Sequence, residues 1–407
     1  MNSEENQTKL HVTQVTAHLQ NLVENSTKLL ENQNEISKFE RVFGFLYSSD
    51  IQSVNIGQII KDAKKKYFVD TNNYFSSQIE VYDTVEMGKG VRATEYIKAG
   101  TCVIVEKAFL VAGEAVMKQM YEIKKKIPQY QQHVELLKQL YVPEPISAEV
   151  SEQDLSQLTK YNGYGEPDRL GNTIDLLDHL FLKISAVNHS CAANVTLRCY
   201  GDVGVVTARE NIKSGDQIFI CYKPVTFPLS SHPSILQQNF NFTCKCSLCS
   251  YLTANSQQFD QIYNNFVQTL KSLKPSEYKT HLIPLVKSSV LNMNVDLKRQ
   301  FVNSVIQTIL LLRNRKVMER NENGAVLLLL IQMQIDSYLV KDQIVEYQSQ
   351  LFKLLLTKSK MQTQTKDKKK LKDQAREIFV KYEAGGQSAF DALCAEYFEN
   401  DDVSWVK

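Results

Sequence analysis

Turn-forming residues are scarce in this chain of 407 residues, which has 15 glycines and 9 prolines, about half of ordinary usage. That excludes collagen-like and low-complexity classes, and an apolar fraction of 43% excludes a chain too polar to build a core. An excess of charge of one sign is missing too. Lys plus Arg number 47 against 45 Asp plus Glu, a net charge of +2, so no overall field draws the protein to nucleic acid or to a membrane surface, and neither partner is expected. The longest aliphatic stretch, Ala325 to Ile331, falls far short of the ~20 residues of a membrane span. The opening MNSEENQTKL lacks the basic-then-apolar pattern of a secretory signal, so the expected location is cytoplasmic or nuclear. Eight cysteines are too sparse for a secreted disulfide framework in a chain of this length.

What is present is unevenly spread. Ten of the glycines lie from Gly88 to Gly215, and six of the cysteines from Cys191 to Cys249. Short β-branched runs near Gln78, from Val91 and from Thr101 predict strands, as do a hairpin around Gly201 and Gly204 and a run from Asp216. Between Gly113 and Asn162 the positions Val116, Met120, Ile123 and Ile127 share a helical face, Pro128 is a break, and Lys124, Lys125 and Lys126 read as a solvated face. The run from Ile174 to Val187 predicts a further short helix. Residues 1–70 read as mostly helical, on Leu19, Leu22, Val23, Leu29 and Leu30. After Cys249 helical spacing takes over, with Phe259, Ile262, Tyr263, Phe266, Leu270 and Leu273 leading to Pro275. Comparable segments run to about Phe398, and the lysine-rich stretch near Lys366 reads as an exposed linker or helix end.

Cys244, Cys246 and Cys249 spell CxCxxC, a spacing expected by chance about 0.003 times for eight cysteines in this length. Zinc takes four tetrahedral thiolate or imidazole ligands, so this trio needs a fourth from elsewhere. Cys191, Cys199, Cys221 and His232 are the candidates, and spacing alone does not choose among them. Isolated cysteines such as Cys102, Cys199 and Cys394 read most simply as small buried hydrophobes.

Before the trio lie further short motifs: MGKG from Met87, NHSC from Asn188 followed by Asn194, and GDQIFICY from Gly215. In this order they resemble the SET-domain lysine methyltransferases over roughly residues 78–252, with the trio in the position of the post-SET zinc motif. Within that superfamily the chain looks most like the SET-and-MYND group, because an insert splits the core and a long helical region follows. The insert has no cysteine and only His133, so the MYND finger itself is lacking. Two departures, Ala193 where the pattern has proline and Asp216 where it has glutamate, leave the reactive groups in place.

The resemblance implies an α+β fold: a β-rich SET core of short sheets with a helical insert and a post-SET zinc segment, flanked by helical regions. The corresponding divisions are 1–70, 71–112 and 163–228 for the SET core with insert 113–162, the zinc segment 229–252, and an all-helical domain 253–407 on which a protein partner is expected to dock. It implies S-adenosylmethionine as cofactor, contacted by Met87, Gly88 and Lys89 through backbone groups, and by Asn188, His189, Tyr222 and Phe242. Tyr222 is the catalytic residue it implies, Tyr164 the wall of a channel for a substrate lysine on a protein, and Cys191 the fourth ligand of a structural zinc beside Cys244, Cys246 and Cys249. The other function class to weigh is a SET-fold scaffold without turnover.

Overall fold

The computed structural model describes residues 47–48, 50–63, 68–112, 114–164, 178–223, 232–273, 365–382 and 385–399, with isolated positions between 280 and 301. The helical expectation for residues 1–46 and for most of 274–364 lies outside them. The chain divides into two units, one made of the residues up to Asn188 together with Asn194–Ile220, the other of His189–Ala193 and the residues from Cys221 onward.

In chain order the first unit contains β1 (Tyr47–Ser48), α1 (Ile56–Ala63), β2 (Asn73–Phe75), β3 (Ile79–Asp83), β4 (Lys89–Ala93), β5 (Cys102–Lys107), β6 (Leu110–Ala112), α2 (Glu114–Lys126), α3 (Gln131–Lys138), α4 (Glu152–Asn162), β7 (Gly163–Tyr164) and β8 (Asp178–Leu180). The chain leaves it within β9 (Asn188–His189) and returns for β10 (Val195–Tyr200), β11 (Val203–Ala208) and β12 (Gln217–Ile220). The largest sheet has the order β1-β2-β5-β11-β10, with β5 in its middle. Its residues Val103 to Lys107 are all buried, which is why Val103 to Val105 read as an unbroken apolar run rather than an alternating one. The hairpin β10–β11 closes through Gly201 and Asp202, with Gly201 at φ 57°, a left-handed turn of the kind that suits strand twist. A second sheet contains β3, β4 and β12 side by side, and a third has the order β6-β8-β7.

Over its described part, residues 178–187, the structure overturns the helix expected from Ile174 to Val187. Leu180 pairs with Leu110 on one side and Gly163 on the other, and only a single turn, Ile184–Ala186, is helical. A run that mixes apolar residues with Asp178, His179 and Lys183 carries too little periodicity to choose between the two states, and pairing to two strands decides for β. The run from Val91 is strand only as far as Ala93. That from Thr101 is two strands, broken where Ala108 and Phe109 donate to the carbonyls of Asp202 and Leu180. Pro128 does interrupt the insert, opening the short turn Pro128–Tyr130, and α4 starts in a capping box between Ser151 and Asp154.

The solvated lysine face is a second correction. Lys125 is half-buried and pairs with Glu149 at 2.7 Å, but Lys124 is fully buried, because successive helical residues point about 100° apart. Its Nζ donates to the Phe109 carbonyl at 2.6 Å and lies 4.6 Å above the Phe109 ring. Burial pushes the Lys124 ammonium down to about 7, with repulsion from Lys107 adding to it and Asp202 opposing. A lysine depressed when folded is bound by fewer protons in the native state than in the unfolded one between those two values, so stability rises with pH from about 7 to about 10. Urea unfolding should show this rise in the wild-type protein and a flatter profile in Lys124→Met; equal slopes in the two would sink the assignment.

In the second unit, α5 (His232–Phe240) and α6 (Ser247–Ser272) follow one another closely, and α7 (Thr365–Tyr382) and α8 (Gly386–Glu399) lie side by side. The last pair packs through Phe379 and Phe390, rings 5.7 Å apart. Among the described residues no helix is long and apolar enough to cross a membrane.

Candidate functional site

Two constellations hold the residues that sequence singled out, one in each unit. In the first, the turn between β3 and β4 carries Met87, Gly88 and Lys89. Thr84 ties it shut: its N–H and hydroxyl both donate to the Gly88 carbonyl, at 2.7 and 2.8 Å, and its Oγ1 accepts from the Met87 N–H at 2.8 Å. Gly88 has φ +66°, and a Cβ on Gly90 would come within 2.7 Å of Thr84 Cγ2 and 2.9 Å of Gln217 Nε2, so glycine is required at both for different reasons. The Lys89 side chain pairs with Asp83 at 2.7 Å in solvent, and Met87 is exposed. Asn188 reaches the same turn, its Nδ2 donating to the Lys89 carbonyl at 2.9 Å. Gln217 Nε2 is buried there with no hydrogen-bond partner.

Two residues position this region that sequence reading gave no role. Asn194 uses its side chain as a backbone would, donating to the Gln217 carbonyl at 2.9 Å and accepting the Phe219 N–H at 2.8 Å, and so holds β12. Glu106, fully buried in β5, accepts the N–H groups of Leu182, Lys183 and Ile184 at 2.8 to 3.1 Å. Three charge-assisted bonds fix the segment that runs into Asn188. The one trace in the sequence was a charged residue inside a β-branched run. Tyr164, by contrast, lies in β7, where its ring is 5.8 Å from Phe181 and its carbonyl lies 2.9 Å from His179 Nδ1.

The second unit gathers an aromatic cluster and a sulfur cluster. His189 lies 5.2 Å from the Tyr222 ring and 5.6 Å from Phe242, and Phe240 lies 5.3 Å from Tyr222. Phe240 and Phe242 both reach Tyr222 because Asn241 between them adopts φ 57°, ending α5 with its N–H on the Gln237 carbonyl, the left-handed cap for which asparagine stands in for glycine. Tyr222 follows β12 by two residues. Its N–H donates to His189 Nδ1 at 3.0 Å, so Nδ1 is the acceptor nitrogen and the ring proton of neutral His189 sits on Nε2. Burial pushes the Tyr222 hydroxyl above its ordinary value, keeping it a neutral phenol.

The sulfur atoms of Cys191, Cys244, Cys246 and Cys249 all lie within 4.8 Å of one another. Cys191 Sγ is 3.4 Å from Cys249 Sγ and 3.9 Å from Cys244 Sγ, while sulfurs placed tetrahedrally 2.3 Å from zinc sit about 3.8 Å apart. The donor set and its spacing fit zinc. Local sequence explains half of it: Cys246 is the N-cap of α6, its sulfur accepting the Cys249 N–H at 3.4 Å, and Cys249 sits in the first turn, where the helix end favours thiolates. Shared protons pull Cys246 down to about 6 and push Cys191 up, the leading causes being Cys191 for the first and Cys244 for the second. Cys191 Sγ also lies 3.2 Å from His189 Nε2 and 3.2 Å from His232 Nε2. Burial lowers the His232 imidazole, with the His189 charge adding. Of the remaining candidates, Cys199 is buried in β10 and Cys221 contacts the Lys223 carbonyl. Cys102 is half-buried as a residue, and burial pushes its thiol up to about 12, while the Cys394 side chain lies outside the described residues.

Comparison with known proteins covers part of this region. Residues 88–223 match the model of the SET domain. A "Methyltransferase" of Gibberella zeae is 22% identical over 278 residues, 56% of this chain and 38% of that one. The N-lysine methyltransferase SMYD2 of Homo sapiens is 31% identical over 71 residues, 17% of this chain and 16% of that one. This chain thus spans well under half the length of either relative. Among solved structures, the SET domain of LSMT bound to lysine and AdoHcy overlaps 66% of this chain and 89% of its own at 10% identity, with a TM-score of 0.24, an overlay on which nothing further rests. The matched stretch runs from the glycine turn through NHSC to the residue after Tyr222, and residues 88–223 of this protein are a SET domain.

Proposed function

We propose that the protein transfers a methyl group from S-adenosylmethionine to the ε-amine of a lysine on a protein substrate. The carrying observation is that His189, Tyr222, Phe240 and Phe242 form one aromatic cluster in which the Tyr222 hydroxyl stays protonated. When bound, S-adenosylmethionine supplies an electrophilic methyl group on a sulfonium. Met87 to Lys89, through their backbone, and Asn188, His189 and Phe242 are the residues that the SET resemblance assigns to it.

The chain's own tasks are alignment and delivery of an unprotonated amine. A free lysine has a pKa of about 10.4 and is almost wholly charged at neutral pH. Aromatic walls strip water from the ammonium and lower that value by desolvation, and Tyr164 is our candidate for such a wall. The Tyr222 hydroxyl orients the amine and accepts weak C–H···O contacts from the polarised methyl. Cys191, Cys244, Cys246 and Cys249 would hold a zinc ion with all four positions filled by protein, a structural role that leaves no place for a reactive water.

A scaffold without turnover remains the competing reading, since fold alone does not decide function. The test is incubation of the purified protein with methyl-labelled S-adenosylmethionine and a cell extract, followed by mass spectrometry. Label on lysine ε-amines is the expected result. Cofactor binding with no transfer to any protein would favour the scaffold.

A further inference from the structure

His232 opens α5 at 1% exposure. Its Nε2 lies 3.2 Å from Cys191 Sγ, while its Nδ1 is buried without a hydrogen-bond partner. Burying an imidazole in this way costs free energy unless its one contact returns it. That contact is a sulfur of the cysteine set, yet His232 itself lies outside the four ligand atoms that fit within 4.8 Å.

We propose that His232 is an outer-sphere determinant of the metal site: its Nε2–H donates to the Cys191 sulfur, neutralises part of the thiolate charge and slows release of the metal. The inference rests on the zinc reading above. A lone pair on Nε2 would face the sulfur lone pairs, so the proton belongs on Nε2, and the nitrogen left bare is Nδ1, the atom found without a partner. Four thiolates on one zinc carry a net charge of −2 in a partly buried pocket, and N–H donors to sulfur are the means by which a protein disperses it. His189 supplies a second such donor, 3.2 Å from the same sulfur. It is already engaged by the Tyr222 N–H at its other nitrogen, so only His232 is committed to the sulfur alone among the hydrogen bonds described.

The test uses the full chain, shown to be zinc-loaded by elemental analysis, and measures zinc release to a chromophoric chelator. His232→Leu keeps the volume and removes the donor; His232→Gln keeps an N–H near the Nε2 position. Removing an outer-sphere partner weakens metal retention by about 10–100-fold, so zinc should leave the Leu variant faster by that factor and leave the Gln variant within about threefold of wild type. Release from a natively folded Leu variant at the wild-type rate overturns the proposal. So does equally fast release from both variants, which would mean that ring packing and not the donor matters. Should the Leu variant not fold, His232→Met carries the same comparison. A wild-type protein without zinc overturns the zinc reading itself, and elemental analysis separates that failure from the others.

Discussion

Replacing Tyr222 with phenylalanine should lower methyl transfer at least about 100-fold while S-adenosylmethionine still binds within about threefold of wild type. The change removes one oxygen and keeps the ring, so the packing against His189, Phe240 and Phe242 survives. The backbone N–H that fixes the His189 tautomer is untouched as well. Unfolding free energy should therefore move by less than about 1 kcal/mol, whereas loss of an aligning group in a displacement reaction costs about 100-fold in rate, equivalent to about 2.7 kcal/mol. Single-turnover labelling and calorimetric titration with the cofactor separate the two effects. Full transfer activity in the variant would remove Tyr222 from the mechanism, and loss of both transfer and binding would make it a packing residue.

Glu106 carries the second large effect, on stability. Substitution by alanine strands three N–H groups, the buried ones of Leu182 and Ile184 and the partly buried one of Lys183. Hydrogen bonds to a charged group contribute about 1.5–3 kcal/mol each, and the losses are not additive, so about 3–5 kcal/mol is expected for the three. At about 2–4 °C per kcal/mol for a domain of this size, the melting temperature should fall by roughly 10 °C. Glu106→Gln should fare little better, because its NH2 group would point at donors while only one oxygen accepts. A melting temperature within 2 °C of wild type for both variants, measured by thermal unfolding at about pH 7, would show that water replaces the carboxylate.

Much of this site was legible because its pieces are local. The turn at Gly88 needs a left-handed residue and a closing partner three or four residues away, and Thr84 and Gly88 supply both within one stretch of sequence. CxCxxC announces itself because two of its sulfurs are organised by a single helix start, with Cys246 capping and Cys249 one turn on. The hairpin at Gly201 follows from strand patterning and a turn residue in the same way. What was misread depended on neighbours that the local window does not contain. Lys124 belongs to a run of lysines that looks solvated, but the helix rolls it onto Phe109, fifteen positions back. The run from Ile174 looks helical until β6 and β7 are set beside it.

By itself the sequence determined the order of the chemistry-bearing segments, the β-rich character of the glycine-bearing third, and three members of the cysteine cluster, all consequences of residue type and short-range spacing. The tertiary structure set Cys191, which spacing left open and only the family resemblance pointed to, beside the cysteine trio, and it alone decided that Asn241 turns Phe240 and Phe242 onto the same tyrosine and that Glu106 anchors the segment running into Asn188. Each of these sets side chains against partners many residues away. Cys191 is 53 positions from Cys244 and Glu106 is 76 from Leu182, and contact at such separation is created by the folding of the sheets and not by any period in the chain.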